Sequence, residues 1–160
     1  MFRVGDKVVY PLHGAGEIEA VEEHEVLGER RKYYVVKLLV TEMKVMIPVE
    51  SVSKIGLRVV INESEIPKVL NILSGKKGES ISDWKVRYTT NLEKIKSGSI
   101  YKVAEVARNL AFRSKERGLS NVERRLFDNA KQLIISELAY VKNTSADEAS
   151  SMVEKILGVP

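Results

Sequence analysis

The sequence predicts an α+β protein of two domains, a small antiparallel β-barrel at residues 1–60 and an all-α domain of five helices at residues 61–160. Two observations lead to this prediction. Residues 2–60 contain short runs of β-forming side chains, some alternating with polar ones, separated by turn signals, a pattern typical of strands. From Asn62 onwards, apolar residues recur every three or four positions, which is typical of amphipathic helices. The change of period near residue 60 therefore marks the predicted boundary.

The N-terminal sixty residues contain four or five predicted strands. The clearest runs of strand-forming residues are 7–10, 17–21, 33–40 and 44–47. Turns are expected between them at 14–16, 27–30 and 41–42, and Pro48 should close the last strand because it cannot donate to a ladder. Strands this short and closely spaced predict a small barrel, which often serves as a binding module.

Five helices are predicted after residue 61. The first starts at Asn62, with Glu65 three residues later as its capping partner. The fourth starts at Ser120, which forms a capping box with Glu123. The third should run from Ile100 to about Arg117, where Gly118 stops it, and the fifth should be capped by Ser145. The inward-facing residues predicted for the helices are Ile66, Val69, Leu70 and Leu73, then Leu92 and Ile95, then Val103, Ala104, Ala107, Leu110 and Ala111, then Val122, Leu126, Ala130, Leu133, Ile134, Leu138 and Val141, and finally Met152, Val153, Ile156 and Leu157.

The second helix, over residues 81–95, contains the only tryptophan of the chain, Trp84. Ser80 or Ser82 can cap its start, and Asp83 should lie in the first turn, where the helix dipole favours a carboxylate. Two interpretations of Trp84 are open. It is a core residue, as tryptophans commonly are, or an exposed aromatic that stacks on a nucleic-acid base while neighbouring cations hold phosphates.

The positive charge of the chain is concentrated in one region. Residues 1–60 carry nine Lys or Arg and nine Asp or Glu, whereas residues 76–131 carry fourteen against seven, a net charge of +7. Within that region, basic residues at 113, 115 and 117 meet Arg124 and Arg125 across the turn at Gly118. A solubility face usually mixes both signs, so this excess favours a polyanionic partner.

Composition and motifs argue against several other classes of protein. The chain has no cysteine, which excludes disulfides and thiolate sites, and it contains no apolar run of membrane-spanning length. His13 and His24 lack an acidic pattern that would hold a metal. Residues 13–16 contain Gly-x-Gly without a third glycine or a Walker lysine. We therefore expect a soluble, cytoplasmic protein that is not an enzyme and uses no cofactor, although a catalytic site assembled from distant residues stays open.

Several motifs resemble those of the CarD/CdnL family of bacterial transcription regulators. The matching stretches are residues 2–16 (FRVGDKVVYPLHGAG), 45–50 (VMIPVE), 56–58 (GLR), 84–88 (Trp-x-x-Arg-Tyr), 91–94 (NLEK), 102–106 (KVAEV) and 116–120 (ERGLS). The first motif is also similar to the polymerase-interacting domain of transcription-repair coupling factors, which are long helicases. The Trp84 block and the absence of a Walker motif indicate the stand-alone regulators.

The resemblance implies a fold, two partners and a set of site residues. The first domain would be a Tudor-like barrel that binds the lobe of the RNA polymerase β subunit, with contacts expected at His24, Val45, Met46 and Ile47. His24 and Met46 occupy positions that are basic in some relatives. The helical domain would contact promoter DNA at the upstream edge of the transcription bubble. The residues expected there are Trp84 as a minor-groove wedge, Tyr88 beside it, and Lys85, Arg87, Arg124 and Arg125 on phosphates.

These features together predict a factor that stabilises the open complex, with no membrane partner and no small-molecule substrate. An architectural DNA-binding protein without polymerase contact is the alternative, and an unrecognised enzyme is a third possibility. A polymerase pull-down separates the first two, and a bound cofactor or metal would support the third.

Overall fold

The computed structural model describes residues 1–78 and 80–159, so Glu79 and Pro160, the last residue of the predicted second domain, lie outside it. Its strands are β1 Lys7–Tyr10, β2 Gly14–Val26, β3 Glu29–Leu38, β4 Lys44–Pro48 and β5 Arg58–Val59. Its α-helices are α1 Val52–Ile55, α2 Ile66–Leu73, α3 Trp84–Lys96, α4 Ile100–Arg117, α5 Asn121–Lys142 and α6 Ala146–Leu157. The predicted α+β class, with strands first and helices second, is confirmed.

The strands form one antiparallel sheet in the order β4-β3-β2-β1-β5. The sheet is open across the described residues, since β4 and β5 do not pair with each other, and the predicted closed barrel is not confirmed. Residues 49–55, which follow β4, form a 3-10 turn and the one-turn helix α1. The next strand, β5, has only two residues, which is too short to close the sheet. Four residues carry too little periodicity to reveal α1, so the prediction of five helices did not include it.

The turn predicted at residues 14–16 was wrong. These residues begin β2, where Ala15 pairs with Val9 and Gly16 with Val8, and the chain reverses at residues 11–13 instead. Gly16 is required by packing rather than by a turn, because a Cβ there would lie 2.6 Å from the backbone oxygen of Lys37 on β3. A glycine that admits a neighbouring strand cannot be distinguished from a turn glycine by sequence alone.

The helix starts follow the predicted capping residues closely. Asn62 and Glu65 form a capping box, with the Asn62 N–H donating to Glu65 Oε2 at 3.0 Å. The side chain of Ser120 accepts from the N–H of Glu123, and that of Ser145 accepts from the N–H three residues later. Helix α4 has the predicted bounds and ends at Gly118, whose φ of +78° favours glycine.

Two clusters of buried residues make up the interior. One lies on the sheet and consists of Val8, Ile18, Tyr34, Val36, Leu38, Ile47 and Leu57. The other lies among α2 to α6 and includes Ile95, Leu110, Phe127, Ile134 and Leu138. Leu12 and Leu39, which flank strands of the sheet, pack against the helical cluster, so the sheet and the helices share an interface. No helix within the described ranges is both long enough and apolar enough to cross a membrane.

Candidate nucleic-acid interface

Trp84 is the first residue of α3, and its position is fixed by the cap that precedes it. The cap is Asp83 rather than Ser80 or Ser82, and its Oδ1 accepts from the backbone N–H groups of Lys85 at 2.9 Å and Val86 at 3.4 Å. A carboxylate at this place satisfies N–H groups that lack helical partners, and its charge is favourable at the positive end of the helix. Asp83, predicted to lie in the first turn, is therefore the N-cap residue that precedes that turn.

The side chain of Trp84 points into solvent. It is 62% exposed, so of the two interpretations left open by the sequence the structure excludes burial in the core. Val86 is exposed on the same helical turn, and the ammonium of Lys85 lies 5.9 Å from the centre of the indole ring. An exposed aromatic side chain beside an apolar residue and a cation fits a stacking site on nucleic acid. We call Trp84, Lys85 and Val86 the wedge face.

Arg87, expected on a phosphate, has its guanidinium engaged within the protein. Its Nε donates to Glu123 Oε2 at 2.9 Å, and its Nη1 donates to the carbonyl of Ile81 at 2.9 Å and weakly to that of Ser82. The Arg87 and Glu123 side chains are only 12% and 10% exposed. Arg87 therefore ties α3 to the start of α5 and holds the segment that leads into Trp84.

Glu123 is shared by two arginines. Arg113 of α4 donates to Glu123 Oε1 at 3.3 Å, and Arg87 Nη2 reaches the same oxygen at 3.4 Å. Burial by itself would raise the pKa of Glu123, but the two guanidiniums outweigh burial and hold this pKa below its ordinary value. The Glu123 side chain therefore takes no part in the predicted capping box, of which only the Ser120 half forms. One carboxylate joins the three helices around the wedge face.

The other predicted DNA contacts fall into two groups. Arg124 and Arg125 are exposed in the first turn of α5, and Arg124 makes a long ion pair of 3.9 Å with Asp128. Tyr88 is partly buried and packs against the helical core. Val122, predicted to face the core, is exposed instead beside Arg124 and Arg125 in the sequence. Exposed cations and apolar groups thus occur together at the start of α5.

A cleft of about 420 Å³ lies between α3, α4 and the segment before α3. Its cationic lining residues are Lys77, Arg87, Lys94, Arg108, Arg113 and Arg117. Many of these charges have carboxylate partners, with Lys77 pairing with Glu116 at 2.8 Å and Lys94 with Glu105 at 3.1 Å. Because so much charge is compensated locally, the cleft adds to the positive field of this face and is not a strong anion site by itself.

The predicted polymerase contacts on β4 differ in accessibility. Met46 is 47% exposed, Val45 is partly buried against the sheet core and Ile47 is fully buried. This alternation is a consequence of the strand period of two. Of the three, Met46 has the most accessible side chain, and Ile47 could contribute through its backbone. Strand β4 is an edge of the sheet, which leaves backbone groups for pairing.

His24 lies in the distal half of the β2–β3 hairpin, away from β4. It is opposite Arg31, whereas Met46 is opposite Val35, so the two exposed side chains are separated by about 13 Å along the strands. His24 is exposed and contacts Glu22 Oε1 at 3.3 Å. The register puts both side chains on the same face of the sheet because Arg31 and Val35 are four residues apart.

Sequence reasoning missed three features of this region. It did not identify Glu123 as the partner of Arg87, it did not identify Arg113 as a second arginine on that carboxylate, and it did not detect the exposed Val122. A signal for the first was present, since a glutamate in the first turn of a helix next to a buried stripe is free to accept arginines from neighbouring helices. Nothing local to the sequence distinguishes an exposed valine from a buried one at the same period.

Comparisons with known proteins cover both parts of the chain. The family model described as "CarD-like/TRCF RID domain" matches residues 2–61, and that described as "CarD, C-terminal domain" matches residues 68–154. The "Putative transcription factor YdeB" of Bacillus subtilis (strain 168) is 38% identical over 151 residues, 94% of this chain and 99% of its own length.

Two solved structures from Myxococcus xanthus are similar to part of the chain. The structure "CdnLNt" is 44% identical with a TM-score of 0.35, and it covers 39% of this chain and 89% of its own. The solution structure of the 72-residue N-terminal domain of CarD is 32% identical with a TM-score of 0.33, covering 37% and 79%.

Proposed function

This chain belongs to the CarD family of transcription factors, and on that premise we propose that it binds RNA polymerase and promoter DNA in the bacterial cytoplasm and stabilises the open complex. The sheet would bind the lobe of the polymerase β subunit. The wedge face would contact DNA at the upstream edge of the transcription bubble. The family is one of transcription factors and not of enzymes.

The exposure of Trp84 is the observation that carries the DNA half of this proposal. Apolar side chains inserted at base steps of the minor groove unstack and kink the duplex. A tryptophan at the fork of a bubble would interact with open DNA more strongly than with closed duplex, and such a difference in affinity shifts the equilibrium towards the open state. One stacked aromatic supplies about 1–3 kcal/mol, which corresponds to a factor of about five to a hundred.

Phosphate contacts would come from exposed cations around the wedge face. Lys85, Arg124 and Arg125 are exposed and suit this role, whereas Arg87 is better explained as a residue that orients α3. A region of net charge +7 should bind DNA alone weakly and without sequence preference, with a Kd of about 10⁻⁴–10⁻⁶ M at physiological salt. Tight, sequence-specific binding without polymerase would contradict the proposal and indicate a conventional repressor.

Polymerase binding would use the free edge at β4. Strand addition relies on backbone hydrogen bonds and tolerates side-chain changes, which explains how Met46 and His24 could replace basic residues of relatives. We propose residues 1–60 as a Tudor-like polymerase-binding domain and residues 61–160 as a DNA-contacting domain. The two separate buried clusters support a division of this kind.

The polymerase contact is tested by capture of purified polymerase on immobilised protein. Met46→Glu places a negative charge on the β4 edge, where some relatives carry a basic residue, and this reversal of charge should reduce capture. Val59→Glu is the matched control, since Val59 is an exposed apolar residue, 56% accessible, on the opposite edge strand β5. Equal capture by the two variants would contradict the proposed edge. If wild type itself captures no polymerase, the alternative of an architectural DNA-binding protein is favoured.

The DNA contact is tested by footprinting a promoter–polymerase complex with and without the protein. Permanganate reactivity of unpaired thymines reports the bubble, and a competitor challenge gives the lifetime of the open complex. We expect added protein to protect DNA at the upstream edge and to lengthen this lifetime. An unchanged footprint and lifetime on a promoter with an unstable bubble would refute the proposed function.

A further inference from the structure

The sheet and the helical part are joined by a buried hydrogen bond and by close packing at two glycines. The backbone N–H of Ala15 on β2 donates to Ser136 Oγ on α5 at 2.9 Å, in a buried position. At the neighbouring Gly14, a Cβ would lie 3.0 Å from the same oxygen atom. At Gly98, between α3 and α4, a Cβ would lie 3.0 Å from Pro11 Cγ. The backbone at residues 14, 15 and 98 is therefore in direct contact with side chains of the other part.

At the centre of this interface, Arg58 and Glu137 form a bidentate ion pair. Arg58 Nη1 donates to Glu137 Oε2 at 2.7 Å, and Nη2 donates to Oε1 at 2.7 Å. Glu137 is 2% exposed, and its Oε2 also accepts from the backbone N–H of Ile61 at 2.8 Å. The planar fork of arginine matches a carboxylate in this geometry, whereas a lysine ammonium does not.

The third nitrogen of the Arg58 guanidinium, Nε, contacts the backbone just after α3. Arg58 Nε donates to the carbonyl of Gly98 at 2.8 Å, two residues beyond the last residue of α3. One guanidinium on the edge strand β5 thus holds α5 and the α3–α4 turn together, while its carboxylate partner holds the segment that connects the sheet to α2. All three nitrogen atoms of the guanidinium have acceptors, and these contacts define the orientation of the Arg58 side chain.

Because Glu123 fixes α3 to α4 and α5, the helical part would move as a unit relative to the sheet, with its pivot at Arg58. Helix α3 has 13 residues, so Trp84 lies about 20 Å from the held end at 1.5 Å per residue. A tilt of about 10° at the pivot would move the indole by about 3.4 Å, the spacing of one base step. Small changes at Arg58 would therefore misplace the wedge even if Trp84 itself is intact.

We propose that Arg58 and Glu137 are positioning residues that join the sheet and the helices into one rigid body, so that polymerase bound at the sheet fixes where Trp84 meets the DNA. This proposal rests on the proposed function for its consequence in transcription. It assigns a role to two residues that lie outside the wedge face and outside β4. Free rotation between the two parts would instead let polymerase binding and DNA insertion occur independently.

The rigid connection is tested in the full chain by a distance measurement between two spin labels. The chain has no cysteine, so Lys54→Cys in α1 and Thr89→Cys in α3, both exposed positions, give unique labels. We expect one narrow distance distribution for the otherwise wild-type chain and a broader, shifted one after Arg58→Lys or Glu137→Gln. Arg31→Lys is the control, since among the described residues Arg31 pairs with Glu29 and Glu50, both in the N-terminal part. If Arg58→Lys and Glu137→Gln both give the same distance distribution as wild type, the proposal is overturned.

The consequence for transcription is tested with unlabelled variants that pass a thermal melt as folded. Arg58→Lys and Glu137→Gln should keep the polymerase affinity of wild type. Their open complexes should have lifetimes between wild type and Trp84→Ala, which itself should be about five- to a hundredfold shorter-lived than wild type. If these variants broaden the spin-label distances but give open complexes with the lifetime of wild type, the positioning role is overturned. If wild type does not lengthen the lifetime of the open complex, the proposed function fails. The spin-label result still decides whether Arg58 and Glu137 hold the two parts rigidly together.

Discussion

Trp84→Ala should change the stability of the fold only slightly. The side chain is 62% exposed, which leaves 38% covered. For a tryptophan of about 250 Å² this is about 95 Å², and at about 25 cal/mol per Å² the upper limit on lost burial is about 2.4 kcal/mol. The unfolded chain also buries part of this area, and alanine is the better helix former, so we expect a loss of about 1 kcal/mol.

The effect on the open complex should be much larger than the effect on the fold. Loss of a stacking platform worth about 1–3 kcal/mol should shorten the lifetime of open complexes about five- to a hundredfold. Polymerase binding should be unchanged, because the sheet is untouched. Trp84→Phe is the matched control, since it keeps an aromatic face for stacking and should retain most of the lifetime.

Two measurements decide the prediction. A thermal melt should show a decrease of about 2–4 °C for a loss of about 1 kcal/mol in a chain of this size. A competitor challenge of promoter–polymerase complexes should show the shortened lifetime. A decrease in melting temperature typical of a buried tryptophan, whose removal costs about 3–5 kcal/mol, would refute the reasoning from exposure. A normal melt with an unchanged lifetime would leave Trp84 without the proposed role.

Three further predictions concern charged and polar groups. Arg87→Ala should lower the free energy of unfolding by about 1.5–3 kcal/mol in a denaturant titration, because Glu123 would lose its main charged donor, and an unchanged midpoint would contradict the buried ion pair. Because the pKa of Glu123 is depressed in the fold, its stabilisation is complete above its unfolded pKa of about 4.3 and is lost as the pH falls through the folded pKa. The melting temperatures of wild type and Glu123→Gln should therefore approach each other as the pH falls below the unfolded pKa of about 4.3, and a constant difference would disprove the depressed pKa. The hydrogen bond from Tyr101 to Glu65 at 2.6 Å raises the pKa of Tyr101 to about 12, so Glu65→Gln should return one tyrosine towards about 10 in a spectrophotometric titration, and no change would exclude this bond.

The sequence determined those features whose signals are local. The bounds of α4, the capping box at Asn62 and Glu65, and the serine caps of α5 and α6 follow from residues within a few positions of one another. Strand β1 and the start of α3 near Trp84 follow in the same way. Helical period and capping chemistry act over four residues or fewer, so one sequence contains enough information to find them.

Tertiary structure alone decided which side chains are available to a partner. Met46 and Ile47 are adjacent in sequence, yet one is exposed and the other buried, because the register of β4 on β3 assigns them to opposite faces. Trp84 had two interpretations until its exposure was known. Arg87 has the composition of a phosphate ligand, but Glu123, 36 positions later, engages it.

The joining of the two parts was also decided only by the tertiary structure. Arg58 and Glu137 are 79 positions apart, and nothing in the residues near either of them indicates the other. The open sheet could not be predicted either, since β5 has only two residues and does not pair with β4. Burial, strand register and ion pairing depend on groups brought together by folding of the whole chain, whereas period and capping depend on the nearest neighbours alone.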